Sequence, residues 1–475
     1  MDRDLSERMP VPRIGLLPTG HKIYWAQFPE LKQLGLSMYE KYLTVLAKLG
    51  DVVTYNDAPV DTPEKSKAAG DFFKRKGIDI LLIFPFGYTT GMVVVPAVQQ
   101  LDNHIPIRLI NSHEDASYDY KSADTTVYLH HEGVCCIPEY AGTLKRLHKE
   151  FVVRSGALDD ERMWKEIESD CQGAAAARGF RNSRFAIIGD TYTNMTDMPT
   201  DEHRILAATG QLIIRPEIEE IHEAAIRVTE SQLKRMYDEL RNLYRVDDSV
   251  TNEHMRESAR LCVAYEEIVR KHDINAFGYY WWGKTEEITQ LRSDSALAVS
   301  RLASLGCPGV TEGDLKTAMA MRMLDLMGAG GFFLEFFSMD FEDDFIMMGH
   351  DGPSNINMAK GQPRLQHLEV HHGKTGRGLG IDFEMYEGPV TLVNLTQFYE
   401  GDLFKIIYSV GEIIDGDLLN IGNPNCRVRV AKNIPEFVND WCQQGPCHHI
   451  AMGYGDLSLQ LETFGESMSF PRARV

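Results

Sequence analysis

The chain has 475 residues, of which 43% are apolar and 25% are charged. This length is too great for one ordinary hydrophobic core, so we expect two to four globular domains. With 49 basic and 69 acidic residues, the formal net charge is −20. This sign argues against a broad surface for nucleic acid or anionic membranes.

The N-terminal and cysteine patterns predict a cytoplasmic protein. The first ten residues, MDRDLSERMP, lack the basic and then apolar pattern of a signal peptide. No apolar run approaches the roughly 20 residues that a membrane-spanning helix needs. The eight cysteines are mostly scattered, which favours reduced thiols. We therefore expect no membrane contact and no nucleic-acid partner.

The first part of the chain alternates short apolar segments with amphipathic ones. Helical spacing of apolar residues predicts helices over 37–50 and 62–77. Strands are predicted over 13–20, 51–56, 78–87 and 105–111. Apolar strands that alternate with helices indicate a parallel sheet covered on both faces. We predict an N-terminal α/β domain over 1–178.

The same alternation restarts after the polar stretch ARGFRNSR and predicts a central α/β domain over 179–330. Strands are expected over 185–190 and 211–221, and a long helix over 252–271. From 331 to 475 the pattern changes to long β-rich segments separated by turn residues, as in VTLVNLTQF and LFKIIYSVGEII. The predicted fold class is therefore α/β, with two doubly wound Rossmann-like domains followed by a β-rich, antiparallel barrel-like domain.

Polar residues follow two of the predicted N-terminal strands. The segments LLPTGHKIYW and FPFGYTTG place His21, Tyr24 and Thr89 just after apolar strands. Doubly wound sheets usually present their site residues at the carboxyl ends of their strands. These residues are candidate substrate contacts, although plain turns would give the same pattern. No G-x-G-x-x-G follows the first strand, so nucleotide binding has little support.

The segment TEGDLKTAMAMRMLDLMG opens a predicted helix. Thr311 and Asp314 resemble a capping box, and Glu312 falls in the first turn. There it either complements the helix dipole or serves as a ligand. Arg322 and Asp325 lie off the apolar stripe of this helix, so we expect them to face water.

Glu335 stands among bulky apolar residues in GFFLEFFSMD. A buried carboxylate needs a cation, a metal or a proton. His350 ends a second apolar run, and His448 and His449 precede a third. Each histidine taken alone is equally compatible with a hydrogen-bonded core position. Together, two carboxylates and two imidazoles suit an octahedral divalent ion such as Mn²⁺ or Co²⁺, with open positions for two adjacent sugar oxygens.

These segments resemble motifs of the L-arabinose isomerase / L-fucose isomerase superfamily, nearer to the arabinose isomerase branch. TEGDLKTA is similar to the family's E-G-D-W-K-T-A, and FFLEFFSMDFEDD to its F-M-E-D-Y. MMGH resembles the segment that delivers the first metal-binding histidine, and CHHIAMGYG resembles the family's A-H-H-T. The resemblance implies a metal site of Glu312, Glu335, His350 and His449.

The resemblance also implies an activity. It predicts interconversion of an aldose and a ketose through a cis-enediol, with Mn²⁺ (or Co²⁺ or Mg²⁺) on O1 and O2 of the sugar. Glu312 and Glu335 would act as the acid/base pair. Family members form trimers or hexamers with active sites at subunit junctions, so His21 and Tyr24 are expected to serve a neighbouring site. Whether His448 positions substrate or only packs is open.

Departures from the family leave the substrate open. The segments GHKIYW and HHEGVCCIPEY differ from sugar-contacting segments of the family. VHHGKTGRGLGIDF gathers basic residues, including Lys374 and Arg377, which form either a basic turn or a pocket for an anionic group of the substrate. The alternatives are an isomerase or epimerase of a carboxylated, phosphorylated or sulfonated hexose, or a non-catalytic sugar-binding protein.

Overall fold

The computed structural model describes residues 9–281, 291, 292, 294–367, 378–397 and 404–475. The chain divides into two compact units. The N-terminal unit contains Pro10–Arg178 and Leu459–Ser469, and the main unit contains Gly179–Ser458 and Phe470–Val475 together with Met9. The three-domain division remains a prediction.

The N-terminal unit is built on a five-stranded parallel sheet in the order β2-β1-β3-β4-β5. Its strands are β1 Arg13–Thr19, β2 Asp51–Thr54, β3 Ile80–Pro85, β4 Ile107–His113 and β5 Val152–Ala157. Its helices are α1 Tyr24–Gln27, α2 Pro29–Leu46, α3 Pro63–Lys76, α4 Val95–Gln100, α5 Thr125–His131, α6 Gly133–Arg146 and α7 Glu161–Arg181. Alternate residues of β3 enter two different cores, Leu81 on one face and Leu82 on the other. The prediction of a parallel sheet covered on both faces is confirmed.

The main unit begins with a three-stranded parallel sheet in the order β6-β8-β9. The strands of this sheet are β6 Phe185–Gly189, β8 Ala276–Tyr280 and β9 Gly309–Val310, and a short strand of another sheet, β7 Arg245–Val246, comes between β6 and β8 in the chain. The helices are α8 Glu202–Thr209, α9 Ile218–Arg227, α10 Glu230–Leu243, α11 Asn252–His272, α12 Ala296–Ser304 and α13 Leu315–Leu326.

The strand predicted over 211–221 is wrong. Only Ile214 pairs with the sheet, through a bridge to Ala186, and α9 begins at Ile218. Pro216 cannot donate a ladder hydrogen bond, and Glu217 and Glu220 form a capping box that starts the helix.

The rest of the main unit contains a closed antiparallel barrel of six strands. The six barrel strands are β10 Phe332–Asp340, β11 Phe345–Gly349, β14 Gly388–Gln397, β15 Phe404–Ile414, β16 Asn425–Val430 and β17 Ile450–Tyr454. The same region also contains β12 Arg364–His367, β13 Leu379–Asp382, β18 Arg472–Arg474 and helix α14 Ile434–Gln443. The barrel order is β14-β17-β10-β11-β16-β15, and pairing of β14 with β15 closes it. The predicted fold class is confirmed.

Helix α13 lies between the parallel sheet and the barrel, and packs against β8, β14 and β17. All of its residues are buried. The expectation that Arg322 and Asp325 face water is therefore wrong. Their side chains lie 3.0 Å apart in a buried ion pair. An apolar stripe predicts one buried face, but a helix with neighbours on both sides must also pair its charges.

The C-terminal helix, α15 Ser458–Met468, belongs to the N-terminal unit for most of its length. A buried ion-pair cluster fixes it there. Arg108 lies 2.9 Å from Glu466 and 3.0 Å from Asp170, and Asp170 also pairs with Arg154 at 2.8 Å.

The helices in the described ranges include none with the length and apolar character of a membrane span.

Candidate metal centre

Glu312 lies in a 3₁₀ turn, Thr311–Gly313, directly after β9. The sequence placed it in the first helical turn, but its φ of +64° belongs to the left-handed region. The turn is held at the carboxyl end of the parallel sheet, where Tyr192 N–H donates to the Glu312 carbonyl at 3.0 Å. A Cβ at Gly313 would lie 2.4 Å from the Asp190 carbonyl oxygen, so the turn has no room for a side chain there. Such strain in a non-glycine residue is often found at functional sites.

Asp314 begins α13 and also reaches the next candidate ligand. Its carboxylate accepts hydrogen bonds from the Thr317 backbone N–H at 3.2 Å and from the Thr317 hydroxyl at 2.6 Å. The same carboxylate lies 3.0 Å from Nδ1 of His449. Burial alone would raise the pKa of Asp314, but the bond to His449 and the charge of Lys316 hold it well below its usual range.

Glu335 and His350 are brought together by the hairpin of β10 and β11. Glu335 pairs in register with Gly349, so His350 follows the strand immediately beside it. Phe333 lies two residues before Glu335 on the same face of β10. Its ring centroid is 4.1 Å from that of His350 and 4.5 Å from that of His449. The aromatic ring thus packs against both imidazoles.

His449 is fully buried and enters the site from the segment before β17. The side-chain amide of Asn394 on β14 holds this segment. It donates to the carbonyl oxygens of Cys447 at 2.9 Å and His449 at 2.7 Å, and accepts from Cys447 N–H at 3.2 Å.

Donor atoms from these elements converge. Glu312, His350 and His449 each offer one ligand atom within 4.8 Å of the others, and so do Glu335, His448 and His449. The two Nε2 atoms of His350 and His449 are 3.2 Å apart. Nε2 of His449 lies 3.4 Å from Oε2 of Glu312, a buried oxygen with no hydrogen-bond partner among the described residues.

The outer hydrogen bonds decide which way these rings present their lone pairs. Nδ1 of His350 faces the Asp351 carbonyl at 2.7 Å, and Nδ1 of His449 faces the Asp314 carboxylate. Both oxygens can only accept, so each ring keeps its proton on Nδ1 and turns Nε2 inward. A proton shared by the two Nε2 atoms would use only their two lone pairs. A metal cation would also bind Oε2 of Glu312. The donor set therefore fits a divalent ion.

The electrostatics agree with this fit. Burial raises the pKa of Glu312, and burial with the neighbouring His449 lowers the pKa of His350 well below its usual value. Burial acts to lower the pKa of His449, but Asp314, Glu312 and Glu335 outweigh it and raise that pKa. Carboxylates that favour a proton on an imidazole also favour a metal cation in its place.

His448 lies beside this cluster and is about one-third exposed, with 37% of its side chain accessible. Oδ2 of Asp197 accepts from its backbone N–H at 2.8 Å and lies 2.7 Å from Nδ1. Burial would raise the pKa of Asp197, but the hydrogen bonds and charge of His448 lower it.

Three of the remaining predicted substrate contacts belong to the N-terminal unit. In the N-terminal unit, His21 and Tyr24 have ring centroids 5.0 Å apart, and the Thr89 hydroxyl donates to the Gly20 carbonyl at 3.0 Å. The ends of β1 and β3 therefore meet, and a sugar-binding role for these residues stays a prediction. Lys374 and Arg377 lie outside the described residues.

Sequence reasoning missed four residues that shape the site. Asp314 was recognised only as a cap, although it stands two residues from Glu312 in the same motif. Phe333 could have been found from its position on the same strand face as Glu335. Asn394 and Asp197 carry no local signal, since they reach the site only through tertiary packing.

Comparisons with known proteins match the part of the chain that contains the candidate metal ligands. The L-arabinose isomerase central domain matches residues 146–330, and the L-arabinose isomerase C-terminal domain matches residues 330–470. The chain is 23% identical to the L-arabinose isomerase of Bacillus subtilis (strain 168) over 339 residues, which is 69% of this chain and 67% of that protein. It is 23% identical to that of Shewanella sp. (strain MR-4) over 334 residues, 68% of this chain and 65% of that protein. The match thus spans about two thirds of each relative, and all four candidate ligands lie inside the two matched domains.

Proposed function

Because this chain belongs to the L-arabinose isomerase family, whose members interconvert aldoses and ketoses, we propose that it is itself a metal-dependent aldose–ketose isomerase. In this proposal Glu312, Glu335, His350 and His449 hold the ion. The observation that carries it is the inward direction of the two Nε2 atoms beside Oε2 of Glu312, which has no hydrogen-bond partner in the part of the chain that the structure describes. Two nitrogen and two carboxylate donors suit Mn²⁺, with Co²⁺ or Mg²⁺ as alternatives.

When bound, the ion would supply Lewis-acid chemistry, which stabilises negative charge developing on two adjacent sugar oxygens. The chain's own groups move the protons. One carboxylate takes the proton from C2 of the aldose, and a proton returns to C1 of the cis-enediol. A proton also passes from the O2 hydroxyl to O1, which completes the ketose. Glu312 and Glu335 are the proposed acid/base pair, and burial raises the pKa of Glu312.

The test is ketose formation by metal-stripped protein with and without added Mn²⁺. The panel contains L-arabinose, D-galactose, L-fucose, D-arabinose, and acidic and 6-substituted hexoses. We expect metal-dependent turnover that Glu335→Gln abolishes and that Glu342→Gln, at the exposed tip of the same hairpin, leaves unchanged. Metal binding without turnover on any sugar would contradict the isomerase proposal for these substrates. Failure to bind metal would contradict the proposal that Glu312, Glu335, His350 and His449 form a metal site.

The same panel separates the remaining alternatives. A C2 epimer in place of a ketose would indicate an epimerase, and binding without conversion a sugar-binding protein. A preference for acidic or phosphorylated hexoses would favour an anion pocket at Lys374 and Arg377. We also propose a cytoplasmic homo-oligomer, a trimer or hexamer, in which His21 and Tyr24 serve a neighbouring subunit's site. Sedimentation velocity would test the assembly, and a monomer would contradict it.

A further inference from the structure

Asp197 makes a two-point contact with a residue next to the candidate metal ligands. It lies in the loop between β6 and α8, and His448 lies 251 residues further along the chain. A single carboxylate oxygen, Oδ2, accepts from the backbone N–H of His448 and from its ring Nδ1. The contact therefore fixes both the chain path and the rotation of the imidazole.

The loop that carries Asp197 is itself held in place. Lys316 on α13 is only 2% exposed. Its ammonium donates to the carbonyl oxygens of Met198 at 3.0 Å and Pro199 at 3.2 Å. Cys447 donates to the Asp197 carbonyl at 3.6 Å. A buried cation thus clamps the backbone beside Asp197, which reduces the freedom of its carboxylate before any ligand binds.

The contact also selects one tautomer of His448. The Asp197 carboxylate can only accept, so Nδ1 carries the proton, and Nε2 is the ring nitrogen that remains for a ligand. The His448 ring centroid is 4.0 Å from that of His449. One ring nitrogen of His448 lies within 4.8 Å of ligand atoms of both Glu335 and His449. His448 therefore lies directly beside two of the proposed metal ligands.

We propose that Asp197 is a positioning residue, which holds His448 so that its Nε2 accepts a hydrogen bond from a hydroxyl of the bound sugar. This inference rests on the proposed isomerase function. Asp197 touches neither the sugar nor the ion in this account, and its effect passes entirely through His448.

Enzyme kinetics test whether Asp197 acts through His448. We expect Asp197→Ala to lower kcat/KM by about 10- to 100-fold on the best sugar of the panel, as loss of an orienting partner typically does. Asp197→Asn keeps an oxygen acceptor and should restore most of the activity. Asp201→Ala, an exposed helix cap in the same loop, is the matched control and should have no such effect. In a His448→Ala background, Asp197→Ala should have a much smaller effect, because only the hydrogen bond from the backbone N–H of residue 448 is left to lose. An equal loss in that background would overturn the inference.

Two measurements do not depend on turnover. The binding constant of Mn²⁺ should change less than threefold in Asp197→Ala, since Asp197 holds none of the proposed ligands. In protein labelled with ¹⁵N-histidine, the His448 ring signals, assigned by their loss in His448→Gln, should report a protonated Nδ1. This tautomer should be lost in Asp197→Ala. An unchanged tautomer would overturn the inference even if the sugar panel succeeds. A lost tautomer with no sugar turnover would sustain the positioning contact and contradict the isomerase function.

Discussion

Asp314 caps helix α13 and also bonds to Nδ1 of His449 at 3.0 Å, across 135 residues of sequence. One buried carboxylate therefore joins the helix start to the candidate metal centre. Outer partners of this kind orient imidazole ligands and raise their basicity. Position and protonation of His449 are thus tied to the fold of α13.

This relationship predicts that Asp314→Asn weakens Mn²⁺ binding by about 10- to 100-fold. Asparagine is a good N-cap, so the helix should still form, while the negative charge beside Nδ1 of His449 is lost. Titration calorimetry on metal-free protein would measure the change. Asn433→Ala, which removes the cap of α14 far along the sequence, should leave Mn²⁺ binding unchanged. Wild-type affinity in Asp314→Asn would show that Asp314 is only a helix cap.

The backbone of Glu312 gives a second prediction. Both Glu312→Gly and Glu312→Ala remove the carboxylate, but only glycine adopts a φ of +64° without strain. In urea unfolding of metal-free protein, Glu312→Gly should therefore be more stable than Glu312→Ala by about 1 kcal/mol. At Glu257, exposed in the interior of α11, the order should reverse, because glycine disfavours a helix. Equal stability of the two Glu312 variants would argue against stored strain.

Metal binding should stabilise the folded chain. Mn²⁺ at 100 times its Kd should raise the free energy of unfolding by about 2.7 kcal/mol if it binds only the folded state. Chelation should reverse the effect. The stabilisation should disappear in His350→Gln and persist in His203→Gln, whose side chain is 97% exposed. Stabilisation that survives in His350→Gln would place the ion elsewhere.

Glu220 gives a pH prediction. Its pKa is lowered to about 2 by hydrogen bonds from Lys271 and His272. Because the folded pKa is below the unfolded value, the stabilisation is present above about pH 4.5 and is lost as the pH falls toward 2. Solvent access limits its size to about 1 kcal/mol. Urea unfolding between pH 6 and 3 should show a steeper loss for the wild type than for Glu220→Gln.

A matched comparison for that slope is Glu219→Gln, one residue earlier on α9 and exposed. It should keep the wild-type pH dependence. If Glu220→Gln also keeps it, the ion pairs with Lys271 and His272 do not contribute to stability in solution.

Much of the fold was predictable from local patterns. Apolar segments such as 78–87 gave β3, and the spacing of 252–271 gave α11, because a strand or helix in contact with a core must repeat its apolar residues with its own period. Prediction failed where a longer-range neighbour changed the outcome. Residues 211–221 became a bridge and a helix. Arg322 and Asp325 were buried because α13 has neighbours on both sides, and Arg322 donates to Ser183 and to the Gly306 carbonyl.

By itself, the sequence determined the alternation that builds parallel sheets, the β-rich barrel segment and the candidate residues Glu312, Glu335, His350 and His449. These follow from short-range periodicity and from motifs a few residues long. Only the tertiary structure decided the left-handed backbone of Glu312 and the contacts of Asp314 with His449 and of Asp197 with His448. Such contacts join residues more than 100 positions apart, and their distances depend on how whole elements pack, which no local pattern specifies.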